Sequence, residues 1–247
     1  MKVIRPLLLS LLLTFSVFAQ SSFAIPILQL YVDGSTYDTA TESWMTYDDP
    51  FTLQVLGARQ QRSLKLVDQV MLHIAVPAEY YRPSGTVTIS AIQSSLEHGV
   101  FAPLTFTADS FVHGIPAQLS GTSGSARSHG IYQDAYYLSV QLDSLDVRKT
   151  PADKVINYVD IAKGLTPGTG IGDIDRYLIS YSDFFLIHMD LTGVAHYDNK
   201  KKDGPIFAPF SHDADAPTPP PAVPEPATLA LILVGLLMAA GMARCRA

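Results

Sequence analysis

The chain has almost no cysteine. Its 247 residues include one, Cys245, which is followed by only two residues. The stretch from 25 to 212 therefore contains none, which excludes thiol catalysis, cysteine-ligated metal sites and disulfides there. A fold in this stretch has to be stabilised by its hydrophobic core.

Charge is also scarce, and basic charge most of all. Charged residues make up 16% of the chain, below the roughly 25% typical of soluble domains. Residues 25–212 contain 13 basic and 20 acidic side chains, a net charge of about −7. Such a surface repels phosphate, so nucleic acid is excluded as a partner.

Enzyme motifs are missing as well. The sequence has no His-Glu-x-x-His metal-binding pattern, no Gly-x-Ser-x-Gly nucleophile elbow and no phosphate-binding loop followed by Lys and Ser or Thr. We therefore predict that the protein is not an enzyme. An exported hydrolase, whose paired carboxylates need not be close in the sequence, is the alternative.

Long charge-free runs occur at both ends. Lys2 and Arg5 precede an uncharged run from residue 6 to 19, and the small residues Ser22 and Ala24 follow. This order is typical of a secretion signal, which predicts a signal peptide over 1–24 cut by signal peptidase after Ala24; a cut after Ala19 is the alternative.

The C-terminal part begins with a proline-rich stretch. Six of the 17 prolines fall between residues 217 and 226, which predicts an extended linker over 213–223. An uncharged run over 227–243 follows, at the short end of the length that spans a bilayer, and predicts a transmembrane helix. The basic residues Arg244 and Arg246 then favour a cytoplasmic end.

This tail resembles a known sorting signal. The motif Pro224-Glu225-Pro226, a hydrophobic run and a basic cluster, together spanning 224–247, are similar to the PEP-CTERM signal of bacterial exosortase substrates. The resemblance implies a Gram-negative exporter whose exosortase recognises this motif and processes the tail. An ordinary tail anchor with a proline-rich linker is the alternative.

Residues 25–212 have the pattern of an all-β domain. Short segments rich in β-branched and aromatic residues alternate with turn residues, which predicts an antiparallel β-sandwich, with a jelly roll as one variant. The predicted strands are 27–32, 51–57, 69–76, 86–92, 101–107, 136–142, 155–161, 177–181 and 184–191. The glycine-rich stretches 120–130 and 162–175 are predicted to be exposed loops.

Aspartate provides most of the candidate chemistry, with 19 Asp against 4 Glu. The close pairs are Asp33 with Asp38, Asp173 with Asp175, and Asp213 with Asp215. Asp favours turns, and it also binds Ca²⁺ in loops, so turn formation and a calcium site at Asp173 and Asp175 are both retained as interpretations. His188 and Asp190 are two residues apart in a predicted strand, which puts two candidate ligands on one face.

A second resemblance covers most of the body. The segments 28–38, 129–132 and 207–214 are similar to the choice-of-anchor N family. That resemblance implies an exported domain of undefined biochemical role, found with differing C-terminal anchors, and it implies no catalytic residues.

Together these features predict an exported protein, transiently anchored in the membrane and then delivered to the cell envelope, surface or extracellular matrix. Its predicted role is structural or adhesive, and no resident cofactor is expected apart from the calcium alternative. A module that binds envelope carbohydrate or exopolysaccharide is the second hypothesis, since exposed Tyr side chains and Trp44 could stack on sugars. Core packing is the other interpretation of Trp44.

Overall fold

Most segments rich in β-branched and aromatic residues form strands. The computed structural model describes residues 25–93, 102–120, 133–198, 202–209 and 213–217. In chain order the strands are β1 (Leu28–Val32), β2 (Thr36–Asp38), β3 (Ser43–Met45), β4 (Phe51–Ala58), β5 (Leu64–Pro77), β6 (Thr86–Gln93), β7 (Leu104–Thr107), β8 (Val112–His113), β9 (Ala135–Gln141), β10 (Asp153–Ile156), β11 (Thr169–Ser182), β12 (Leu186–Tyr197), β13 (Gly204–Phe207) and β14 (Asp213–Pro217). The α-helices are the short α1 (Ala117–Ser120) and α2 (Tyr158–Ala162), and single 3₁₀ turns cover Ala78–Tyr80 and Ala108–Ser110.

Within these ranges the strands form two sheets. The smaller sheet has six strands in the order β1-β4-β11-β6-β7, with β10 beside β11. The larger sheet has eight strands in the order β2-β3-β14-β12-β5-β9-β8, with β13 beside β12. The pairs are antiparallel except β14 with β3, which is parallel. The prediction of an all-β domain with antiparallel sheets is confirmed.

The two sheets share one hydrophobic core. In β5 the alternating residues Val70, Leu72, Ile74 and Val76 are completely buried in that core, as their period-2 spacing predicted. The smaller sheet contributes side chains such as Tyr177 to the same cluster. Burial of both inner faces against each other is the source of stability that a cysteine-free domain requires.

Three sequence predictions need correction. The glycine-rich stretch 162–175 is not all loop, because β11 begins at Thr169; there Gly172 lies so close to the backbone of β4 that an added Cβ would be 1.9 Å from the carbonyl oxygen of Gly57. The predicted strand 155–161 ends early, because β10 stops at Ile156 and α2 follows. The predicted linker 213–223 begins inside the fold, because residues 213–217 form the buried strand β14.

Several predicted segments lie outside the described residues. These are the signal peptide 1–24, the loop residues 121–130, the motif segment 129–132 and the tail from residue 218, which includes Pro224, Glu225, Pro226, Arg244, Arg246 and the predicted helix 227–243. In the part of the chain that the structure describes, no helix has the length and apolar character needed to cross a bilayer.

Candidate functional site

The candidate site lies on the face of the larger sheet that points away from the shared core. Along β12, Ile187, Met189 and Leu191 enter the core, so the intervening His188 and Asp190 occupy the opposite face. This confirms the prediction that the two residues share one strand face. Both are buried.

The final described strand brings two more carboxylates to His188. In β14, Ala214 and Ala216 enter the core, and Asp213 and Asp215 therefore point to the same face as His188. Asp215 is directly opposite His188 in the ladder between β12 and β14. We call His188, Asp190, Asp213 and Asp215 the His188 cluster.

The imidazole is held between carboxylates on its two nitrogens. His188 Nδ1 lies 2.6 Å from Asp215 Oδ1, while Nε2 lies 3.2 Å from Asp190 Oδ2 and 3.9 Å from Asp213 Oδ2. His188, Asp190 and Asp213 each offer one possible metal-ligand atom, and these three atoms all lie within 4.8 Å of one another. This cluster therefore contains a possible set of ligands for a cation.

Burial and mutual charge shift the titration of the cluster. Burial lowers the pKa of His188, but the Asp190 and Asp215 carboxylates outweigh it and hold this pKa well above its ordinary value. Burial, followed by the charge of Asp190, raises the pKa of Asp213 well above its ordinary value. Both groups therefore retain protons to a higher pH than they would in water.

A second buried histidine adjoins the cluster. His73 on β5 is directly opposite Asp190, its Nδ1 lies 2.8 Å from Ser139 Oγ, and its Nε2 lies 2.9 Å from Thr192 Oγ1. Burial lowers its pKa to about 4, against a smaller opposing effect of Asp190. His73 is thus neutral at physiological pH, whereas the pKa of His188 is shifted in the opposite direction.

A small cavity lies beside His73 and Thr192. It measures about 260 Å³ and is lined by residues of β5, β9, β12 and β13, among them Met71, Thr192 and Phe207. Thr192 connects the cavity to His73, since its hydroxyl both lines the cavity and contacts the imidazole. The lining is mainly apolar with a few polar groups.

Asp173 and Asp175, the residues of the calcium prediction, lie elsewhere. They are buried on the inward face of β11 rather than in a loop. Lys149 forms an ion pair with Asp173 and places its Nζ 2.6 Å from Asp153 Oδ2, and the Asp146 backbone N–H donates to Asp173 Oδ2 at 2.8 Å. A lysine therefore already supplies positive charge to Asp173, and calcium at this pair stays a prediction.

The two interpretations of Trp44 can now be separated. Its side chain is buried, with its ring centroid 4.9 Å from that of Tyr31 and 5.0 Å from that of Tyr37. The core-packing interpretation is confirmed, and Trp44 is not available to stack on a sugar.

Sequence reasoning found one half of the His188 cluster and missed the other. The proline-rich residues after Pro217 caused Asp213 and Asp215 to be assigned to a linker. Their alternation with Ala214 and Ala216 was the available signal, since small apolar residues at every second position fit a strand with one buried face.

Comparison with known proteins supports the interpretation of the tail. Residues 222–247 match the model of the PEP-CTERM protein-sorting motif. No curated protein matches the chain significantly. The chain thus carries the signal of a protein that an exosortase processes, which implies export, transient membrane anchoring and then the cell envelope or surface.

Proposed function

We propose that this protein is an exported, non-enzymatic domain with a structural or adhesive role at the cell surface or in the extracellular matrix. The observation that supports it is the position of the sorting motif. The last described strand, β14, ends at Pro217, and the match to the motif begins five residues later, at residue 222. A folded two-sheet domain followed directly by a sorting signal is the arrangement expected of a protein whose folded domain is the exported product.

The route to the surface completes the proposal. Residues 1–24 act as a signal peptide that signal peptidase removes after Ala24, and the run 227–243 holds the chain in the inner membrane until the exosortase acts. The resemblance of the body to the choice-of-anchor N family agrees with an exported domain. None of these steps requires a catalytic residue in the body.

The sorting step is tested in a Gram-negative host that contains an exosortase. Glu225→Ala should leave the domain folded but keep the full-length chain in the inner-membrane fraction, while the wild-type chain is shortened and released. Thr218→Ala, outside the motif match, is the control and should behave as wild type. Mass spectrometry of each fraction gives both ends of the chain. Unchanged release of the Glu225→Ala chain would contradict the sorting role.

The structural or adhesive role needs a separate test. Cells that lack the protein should attach less to one another or to their matrix, and the wild-type gene should restore attachment. A gene encoding Glu225→Ala should not restore it, because the product stays in the inner membrane. Normal attachment without the protein would contradict this role and leave the sorting step unaffected.

Carbohydrate binding remains a second candidate because of one exposed aromatic side chain. Phe185 is 50% exposed, Arg82 Cζ lies 4.9 Å from its ring centroid, and the Tyr80 ring centroid lies 6.5 Å away. An exposed ring beside an arginine offers both a flat apolar surface and hydrogen-bond donors to a sugar.

Binding to a glycan array tests whether Phe185 forms a sugar-binding surface. Phe185→Ala should abolish binding, and Ile161→Ala, at an apolar residue that is also 50% exposed, should not. Equal binding by the wild-type protein and Phe185→Ala would rule out this surface as the sugar site.

A further inference from the structure

The His188 cluster brings together atoms that accept hydrogen bonds or bind cations. Asp215 Oδ1 lies 2.6 Å from His188 Nδ1. A carboxylate oxygen can only accept, so Nδ1 carries the hydrogen and donates it. In a neutral imidazole the lone pair is then on Nε2, the nitrogen that faces Asp190 and Asp213. In the metal-free protein, protons shared with Asp190 hold these atoms together. A metal ion would bind the same atoms in place of those protons.

The spacing of these atoms fits a metal ion. Zinc binds imidazole nitrogen and carboxylate oxygen at about 2.0–2.2 Å, so ligand atoms of a tetrahedral centre are about 3.3–3.5 Å apart. The separations from His188 Nε2, 3.2 Å to Asp190 Oδ2 and 3.9 Å to Asp213 Oδ2, lie on either side of that value. Small side-chain adjustments would equalise them.

Asp215 supplies an independent indication. Histidines that bind metal commonly donate their other N–H to a carboxylate, which fixes the tautomer and the orientation of the ring. The contact from His188 Nδ1 to Asp215 Oδ1 is of this type, and it lies on the side of the ring away from Asp190 and Asp213. The cluster thus has a ligand set together with the carboxylate that would orient its histidine.

We propose that His188 Nε2, Asp190 and Asp213 bind one divalent transition-metal ion, Zn²⁺, with Asp215 as the residue that positions His188. Imidazole together with carboxylate suits Zn²⁺, whereas Ca²⁺ takes six to eight oxygen ligands. The ligands come from β12 and β14, so the ion fastens β14 to a central strand of the larger sheet. Its role is structural, because it joins ligands on two strands, with Asp213 lying 23 residues after Asp190 in the sequence. A water molecule or a second carboxylate oxygen completes the four-coordinate set.

Metal content gives the first test. The full chain, purified in detergent and stripped with EDTA, should take up one Zn²⁺ per chain after the chelator is removed. His188→Gln and Asp213→Asn should lose this uptake. His196→Gln and Asp203→Asn, which alter a solvent-exposed His–Asp pair with a 2.8 Å contact, should retain it. No uptake by the wild-type chain, or equal uptake by Asp213→Asn, would overturn the proposal and leave protons as the cations of the cluster.

Two further measurements do not depend on the folding of those variants. Co²⁺ added to the stripped wild-type chain should give the visible absorption of a four-coordinate nitrogen and oxygen centre; a spectrum identical to aqueous Co²⁺ would argue against the site. A hundredfold excess of Zn²⁺ over its Kd should raise the melting temperature by roughly 5–10 °C. A rise with Ca²⁺ but not with Zn²⁺ would also overturn the proposal.

The role of Asp215 has its own readout. Asp215→Asn should still bind one Zn²⁺ per chain, with affinity weakened about 10–100-fold because the ring is oriented less firmly. Unchanged affinity would remove Asp215 from the site.

Discussion

His188 Nδ1 and Asp215 Oδ1 lie 2.6 Å apart in the interior, across the ladder that joins β12 to β14. The contact links a residue in the middle of the larger sheet to one 27 positions further along the chain. It forms only when β14 has paired with β12, so it reports that the last strand is in its correct register.

Loss of this contact should destabilise the domain. Removing one member of a buried ion pair typically costs about 3–5 kcal/mol, because the other is left without compensation. Asp215→Ala should lower the free energy of unfolding in EDTA by that amount, measured by urea denaturation. Asp203→Ala, at the exposed His196–Asp203 pair, should change it very little. Equal effects of the two substitutions would show that burial of the His188 pair has no energetic consequence.

Lys149 should contribute as much to the free energy of unfolding as Asp215 does, but on the inward side of β11. Its ammonium faces the completely buried Asp173, so Lys149→Met leaves that carboxylate without its cation and should cost about 3–5 kcal/mol. Adding Asp173→Asn to the same chain should recover part of the loss. Lys154→Met, at an exposed position of β10, is the control and should unfold like the wild type. A mild effect of Lys149→Met, no larger than the control, would contradict this role.

The calcium prediction can be tested by thermal unfolding. Millimolar CaCl₂ should raise the melting temperature by roughly 5–10 °C if it exceeds the Kd a hundredfold. The double variant Asp173→Asn, Asp175→Asn should lose that gain. Equal melting temperatures in CaCl₂ and EDTA would mean that Lys149 alone balances Asp173.

His73 should make the domain sensitive to mild acid. Its pKa is about 4 in the fold and about 6.5 in the unfolded chain, so between these values the unfolded state binds more protons. The contribution of His73 is therefore complete above pH 6.5 and is lost as the pH falls towards 4, by up to about 3 kcal/mol.

The measurement is urea unfolding in EDTA from pH 7 to pH 4.5. His73→Gln, which cannot titrate, should lose less stability over this range than the wild type. Carboxylates also titrate in this range, so only the difference between the two curves is informative. His113→Gln, at an exposed His–Asp pair, should give a curve parallel to the wild type. A parallel curve for His73→Gln would contradict the prediction.

Local pattern predicted the strands whose side chains alternate and bury one face. The residues 69–76 are the clearest case, and His188 with Asp190 followed from the same rule. The strand at Asp213–Pro217 did not, because its pairing with β12 is a contact between distant segments and its neighbours in sequence are prolines. The start of β11 was missed for a related reason. Gly172 has no side chain to signal burial, and only the nearby β4 backbone explains why a glycine is required.

The place of β14 within its sheet has a mechanical consequence. It lies between β12 and β3, antiparallel to one and parallel to the other, and the chain continues from its end towards the sorting motif. A force applied to the C-terminal end of β14 in the direction of the strand would load the hydrogen bonds on both of its sides. Those bonds would be loaded together in shear rather than opened one at a time, so the domain should resist detachment while the tail is held.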